Sequence, residues 1–373
     1  MNYYRWFYSV SLCIFGAVAL LSGAAWLVDP IELWESPVIH GFNHIKPKQA
    51  AFLDVFKPFQ VKRHAPEIIY IGTSRVYVGF RPEKNAYNMG GSSLSLPDMQ
   101  RYLRFIYSQH TPKKVLIGLD LFQFGQENMT LQREGFSKER LDILEKGDVS
   151  AWGEAWKTSL GLTGYLKETV DGSRKNRDKE KEWNRGWDVA RGERTDIDTA
   201  TYYGYLHDFY KTYTNFVYDP DALLCLQDIL SEAETHGVEV ALFFNPVSID
   251  LLALQSICGS AEIFRQIKSE VAALYPTYDF AWASSLAINR QGVWLDGSHY
   301  HRPTGDRMRE TMTSSTDNEI CRVLTANTVD RYLREEAEQY ERWAADNSAY
   351  LRALAGAAPQ IIPEGTLKAY IGF

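Results

Sequence analysis

Residues 68–75 read IIYIGTSR, a run of four apolar residues that stops at Gly72 and continues into a Thr-Ser turn. A short apolar run closed by glycine reads as a buried strand followed by a sharp turn at its carboxyl end. The pattern returns downstream. Residues 85–88 read as a weaker second strand, KVLIGLDL at 114–121 as a third, VEVALFF at 238–244 as a fourth and 278–282 as a fifth. The third is apolar almost throughout, as a strand in a parallel sheet covered on both faces has to be. Between the strands, the spacing predicts helices over 97–108 (Met99, Leu103, Phe105, Ile106), 220–236 and 261–274. A further helix should start at Pro303, since proline suits the first helical position. Strands alternating with helices predict an α/β fold with a doubly wound, mostly parallel sheet. In such sheets the ligand site lies beyond the carboxyl ends of the strands.

Four segments surround and divide this core. Residues 1–29 form an apolar N-terminal segment, and 30–65, with Pro30, Pro37, Pro47 and Pro58 and no sustained period, read as a connector. The α/β domain spans 66–320, with helical patterns near 137–146 and 151–161. It carries an insertion at about 165–200, dense in charge of both signs over 167–194, which reads as a solvated loop. Residues 321–373 are predicted to form a helical tail.

With 45% apolar and 13% aromatic residues the chain is a folding sequence, and a net charge of −7 argues against nucleic acid as a partner. Its four cysteines, Cys13, Cys225, Cys258 and Cys321, show no Cys-x-x-Cys spacing. His40 and His44 have no acidic or cysteine partner at ligand spacing, so neither a metal nor another cofactor is expected.

Residues 9–28, SVSLCIFGAVALLSGAAWLV, are twenty residues without a charge, enough to cross a hydrocarbon core of about 30 Å. Arg5 precedes them and Asp29, Glu32 and Glu35 follow, which favours a cytoplasmic N-terminus. Tyr3, Tyr4, Trp6, Tyr8 and Trp26 suit the two interfaces. The length favours a retained anchor; a signal peptide cleaved near Ser22-Gly23-Ala24 is the alternative. Both readings place the remaining chain outside the cytoplasm.

The residues after each strand are the candidates for chemistry. Gly72-Thr73-Ser74-Arg75 follows the first strand, and Asn88-Met89-Gly90-Gly91-Ser92-Ser93 the second. Asp120 lies at the end of the third, Asn245 follows the fourth, and Asp296-Gly297-Ser298-His299 comes after the last strand read from the sequence. Acyl transfer by serine needs a hydroxyl, an imidazole to take its proton and a carboxylate to orient the imidazole. Ser74, His299 and Asp296 supply these, with His301 a less well spaced alternative base. Exposed N–H groups of the glycine turn could receive an oxyanion.

The blocks IIYIGTSR, YNMGGSS (87–93) and LDGSHY (295–300), with VDPIELW (28–34) after the anchor, resemble the SGNH hydrolase superfamily. More narrowly they resemble membrane-anchored envelope proteins of the alginate O-acetylation and D-alanyl-transfer type. The resemblance covers about 66–312 in short blocks. It implies a flavodoxin-like sheet with Ser74 as nucleophile, His299 as base and Asp296 as its orienter. It further implies an oxyanion hole from the N–H groups of Ser74 and of Gly90 or Gly91. The family's third block carries an asparagine that completes this hole; here Asp120 stands there, and an ionised carboxylate would repel an oxyanion. Asn245 is a possible substitute donor, and Arg75 a possible site-lining cation. The family's helix after the nucleophile is not expected, because Gly79 and Pro82 read as turn and loop.

The expectation is a serine esterase or O-acyltransferase on the outer side of a bacterial inner membrane. Its substrate would be a cell-envelope polysaccharide or exopolysaccharide, with an integral-membrane acyltransferase as the implied partner. The alternative is a scaffold protein of a polysaccharide assembly complex, its site weakened by Asp120.

Overall fold

A computed structural model describes residues 3–130, 138–179, 181, 183–314 and 317–371. The chain divides into two compact units, Met1–Ala65 with Gln132–Asn184, and Pro66–Leu131 with Arg185–Phe373.

The first unit begins with the helix Tyr3–Val28, long and apolar enough to cross a membrane. Its last carbonyls, which have no intrahelical donor, are taken by side chains: Asn43 Nδ2 donates to Leu27 O (2.7 Å) and Lys46 Nζ to Val28 O (2.9 Å). The stretch read as a connector is more ordered than its prolines implied. It contains the helix Leu53–His64, with Pro58 inside it and nine residues from Leu53 to Val61 buried. Helices Lys138–Glu145, Asp148–Gly161 and Leu166–Lys175 complete the unit, and Trp183 packs edge-on against Phe56. Among the described residues all four cysteines are free.

The second unit holds the sheet. Its strands are β1 (Ile68–Ile71), β2 (Ala86–Asn88), β3 (Lys114–Leu119), β4 (Glu239–Phe244), β5 (Thr277–Asp279) and β6 (Arg322–Leu324). They lie in the order β2-β1-β3-β4-β5-β6, the first five parallel and β6 antiparallel to β5. The segment read as a wholly helical tail therefore opens with an edge strand, and helices Val329–Asp346 and Ser348–Ala357 follow. One face of the sheet is covered by a cluster that includes Tyr70, Leu116, Phe243, Phe280, Trp294, Tyr300 and Met308. Burying each such large apolar side chain contributes about 1.5–3 kcal/mol.

Local chemistry accounts for the element ends. Ser95 caps helix Leu96–Gln109 by accepting from Asp98 N, with Pro97 in its first turn. Gly237, at φ +67°, ends helix Asp221–Thr235 ahead of β4. The carboxyl end of β5 is held by a buried cation: Lys268 Nζ donates to Asp279 Oδ2 (2.6 Å), Ala281 O (2.8 Å) and Glu336 Oε2 (3.0 Å). Burial, then the charge of Asp279, raises the Glu336 carboxyl well above its ordinary range.

Two further elements differ from the sequence reading. Helix Thr199–Thr214, capped by Asp198, lies in a stretch where no element was expected. The charged insertion is only partly a solvated loop, since Trp183 and Trp187 are buried and Trp187 Nε1 donates to Val78 O at 2.8 Å.

Candidate active site

The strand order reverses direction between β1 and β3, and there the turn after β1 meets the end of β3. This is the crevice where doubly wound sheets bind ligands. Space is tight: a Cβ on Gly72 would lie 2.4 Å from Val76 Cγ2, and one on Gly118 2.6 Å from the same atom. The glycines thus let β1 and β3 close around Val76. Thr73 then caps a short helix, Ser74–Gly79, so the nucleophile candidate occupies its first position. A helix does follow Ser74, contrary to the turn-and-loop expectation; it is brief because Phe80 is already extended.

Ser74 and His299 lie 225 residues apart in sequence, yet His299 Nε2 is 2.8 Å from Ser74 Oγ. His299 Nδ1 lies 2.9 Å from Asp296 Oδ2 and 3.0 Å from Oδ1. Asp296 Oδ1 also accepts from the backbone N–H of Ser298 and His299, both at 2.8 Å. Burial pushes the Asp296 carboxyl up, but the His299 charge and these hydrogen bonds outweigh it and hold the group below the usual carboxylate range. The turn is closed by Leu295 N to His299 O (2.8 Å) and His301 N to Val293 O (2.9 Å). Trp294, fully buried, anchors it through Nε1 to Leu286 O. His301 instead meets Arg194 O through Nδ1 at 2.7 Å.

Asp120 is not an unpaired charge facing the site. It is buried, accepts from Thr73 Oγ1 at 2.6 Å and from Asn245 Nδ2 at 3.2 Å, and forms an ion pair with Arg75. Arg75, equally buried, donates from Nε to Ser298 O at 3.0 Å. Burial lowers its affinity for the proton, and Asp120 more than restores it. Arg75 thus ties the Ser74 turn, the end of β3 and the Asp296–His299 turn together. Asn245 is likewise committed, its Nδ2 to Asp120 and to Leu119 O and its Oδ1 accepting from Tyr300 OH at 2.9 Å. It is not free to serve as an oxyanion donor.

The glycine turn is also corrected. Gly90 N–H donates to Asn88 Oδ1 (2.9 Å) and Gly91 N–H to Gly72 O (3.0 Å), so both hydrogen bonds serve to fold the turn. Among the described residues, the N–H groups of Ser74, Ser92 and Ser93 on this rim have no hydrogen-bond partner. Ser93 holds a left-handed φ of +48°, and all three residues line the crevice.

That crevice has a volume of about 640 Å³, and Tyr77, Phe122, Arg191, Tyr205, Phe209 and Phe216 form much of its wall. The Tyr205 ring meets the His299 ring edge-on, with centroids 5.5 Å apart. Burial, then the charge of Asp296, pushes the Tyr205 phenol up to about 12. Arg191 donates to Asp188 and, at 2.6 Å, to Tyr77 OH. None of these wall residues was singled out from the sequence. A signal existed: Tyr202, Leu206, Phe209 and Tyr213 recur at helical spacing behind the Asp198 cap. Among the described residues no cluster of His, Cys, Asp or Glu could hold a metal ion.

No family model and no curated protein shows a significant match to the chain.

Proposed function

We propose that this chain is a membrane-anchored serine esterase or O-acyltransferase of SGNH-hydrolase type, acting on an acylated cell-envelope or extracellular glycan. The observation that carries this reading is the continuous relay from Ser74 Oγ through His299 to Asp296 at the crevice between β1 and β3. In the first half-reaction Ser74 Oγ bonds to the acyl carbon as His299 takes its proton. The carbonyl oxygen becomes an oxyanion facing the free N–H groups at Ser74, Ser92 and Ser93. The bond to the leaving oxygen then breaks, and His299 returns the proton to that oxygen. In the second half, a sugar hydroxyl or water gives its proton to His299 and attacks the acyl-enzyme, and Ser74 is regenerated.

The aromatic wall supports a glycan as substrate, because sugar rings stack on such faces. An integral-membrane acyl donor and placement of the second unit outside the cytoplasm belong to the same proposal; the apolar helix Tyr3–Val28 supports the anchor. The scaffold alternative drew on Asp120 in place of the family's asparagine; the Arg75 ion pair answers its charge, which supports the enzyme reading.

The test is labelling of the detergent-solubilised full chain by a fluorophosphonate probe, together with acetyl-ester hydrolysis. Both should occur with the native chain and disappear in Ser74→Ala. A folded native chain that reacts with neither across a range of pH would sink the proposal.

A further inference from the structure

The helix Asp148–Gly161 presents Val149, Trp152 and Leu160 outward, while Trp156 is half-buried with its ring centroid 4.8 Å from that of Trp34. Val149 is 89% exposed, Trp152 61% and Leu160 38%, and with Trp156 they fall at i, i+3, i+7 and i+11, one face of a helix. The buried side carries only small residues, Ala151, Ala155 and Ser159. A surface helix in water is patterned the other way round, and a contiguous exposed apolar patch marks a contact surface.

What covers this face follows from the neighbouring elements of the same unit. Helix Asp148–Gly161 packs against the spanning helix Tyr3–Val28. At 1.5 Å per residue a helix of 26 residues is about 39 Å long, beyond the ~30 Å core, so its end lies at headgroup level. The protein body starts there, since Ala25 and Val28 are the buried residues of that helix. Beside them is a groove of about 440 Å³ lined in part by Trp26, Trp34, Phe59, Lys62, Arg63 and Trp152. Tryptophan and basic side chains at this depth match the composition of a membrane interface. Lys62 lies 3.4 Å from Asp148, and Arg63 is 2.7 Å from Glu35, so the basic side chains of this rim are charge-paired.

We infer that helix Asp148–Gly161 lies on the bilayer as a second, interfacial contact. This rests on the reading of Tyr3–Val28 as a membrane span. The inserted face is Val149, Trp152 and Leu160, and Lys157, with 77% of its side chain exposed, stays in water.

The test uses the full chain in phosphatidylethanolamine–phosphatidylglycerol vesicles, with Cys13, Cys225 and Cys258 replaced by serine and the buried Cys321 kept. Spin labels are placed singly through Val149→Cys, Leu160→Cys and Lys157→Cys, and a fourth sample keeps native Cys13, which is exposed on the spanning helix. Collision with oxygen, which partitions into lipid, is compared with collision with a water-soluble nickel chelate. The inference requires the oxygen-to-nickel ratio at 149 and 160 to rise toward that at 13, with 157 low. If Cys13 is immersed while 149 or 160 matches 157, the interfacial helix is wrong and the face awaits a protein partner or none. If Cys13 itself is aqueous, the span and this inference fall together, and the Ser74 chemistry is untouched.

Discussion

Asp120→Asn separates two accounts of the site, because they predict opposite signs. The substitution keeps the side chain's size and removes its charge. Arg75 and Asp120 are each 2% exposed, so the Arg75 guanidinium would be left without a counter-ion in a place water does not reach. Breaking a buried pair by removing one partner costs about 3–5 kcal/mol. The asparagine carbonyl can still accept one of the hydrogen bonds now made by Arg75 and Thr73, which favours the lower figure. At about 2–4 °C per kcal/mol for a large domain, a loss of about 3 kcal/mol lowers Tm by roughly 6–12 °C. Activity should fall too. Arg75 Nε holds the Ser298 carbonyl next to His299, and a misplacement of about 1 Å in a catalytic group can cost about 10²-fold. If instead Asp120 merely occupies an oxyanion-donor position, asparagine would restore that donor and raise the rate by about 10²–10³. The assay is thermal unfolding of the detergent-solubilised chain beside acetyl-ester turnover. Arg75→Met with Asp120→Asn supplies the second arm, and it should recover most of the stability by removing both charges. An Asp120→Asn chain that turns over faster than the native one, with Tm within about 2 °C, would refute the pairing argument.

Further outcomes follow from the geometry. Asp296→Asn should leave the turn folded and lower kcat by about 10⁴, since the imidazole loses the carboxylate that fixes its tautomer. The Asp296 pKa is depressed on folding, so its stabilising contribution is complete above the unfolded value of about 3.9 and is lost as pH falls through the lower, folded value. Acid-unfolding curves of the native chain and Asp296→Asn should therefore converge at low pH and differ most above about pH 5. Arg191→Ala, which removes the Arg191 hydrogen bond to Tyr77 OH and opens one wall of the crevice, should raise KM more than it lowers kcat, as measured by steady-state kinetics. Lys268→Met should cost about 3–5 kcal/mol in chemical unfolding because it strands Asp279 and Glu336. Glu336→Gln should cost less, its carboxyl being driven toward the neutral form already.

The sheet was legible because buried parallel strands leave continuous apolar runs, and 114–121 and 238–244 have little else they can be. The Ser74, Asp296 and His299 trio was legible because Ser74 follows β1 directly after Gly72 and Thr73, and Asp296 precedes His299 by three residues in a glycine-bearing turn. Hydrogen-bond direction was not. A Gly-Gly turn announces flexible backbone, but whether Gly91 N–H faces a crevice or Gly72 O depends on a strand end nearly twenty residues earlier. Asp120 looked damaging for a similar reason: its counter-ion, Arg75, is reached through the sheet and not along the chain. The helix Thr199–Thr214 escaped notice beside a charge-rich stretch that drew attention to solvation. The proline-marked segment before β1 was read as unstructured because Pro58 sits inside a helix, a placement that propensity alone disfavours.

A Cβ placed on Gly297 would come within 2.9 Å of both Tyr202 O and Tyr205 Cβ, so helix Thr199–Thr214 presses directly on the acid–base turn. The same helix supplies Tyr205 and Phe209 to the crevice wall. On the proposed mechanism, choice of substrate and speed of proton transfer therefore share one mechanical support. Redesign of that wall for a bulkier acyl or sugar group will tend to shift the imidazole as well.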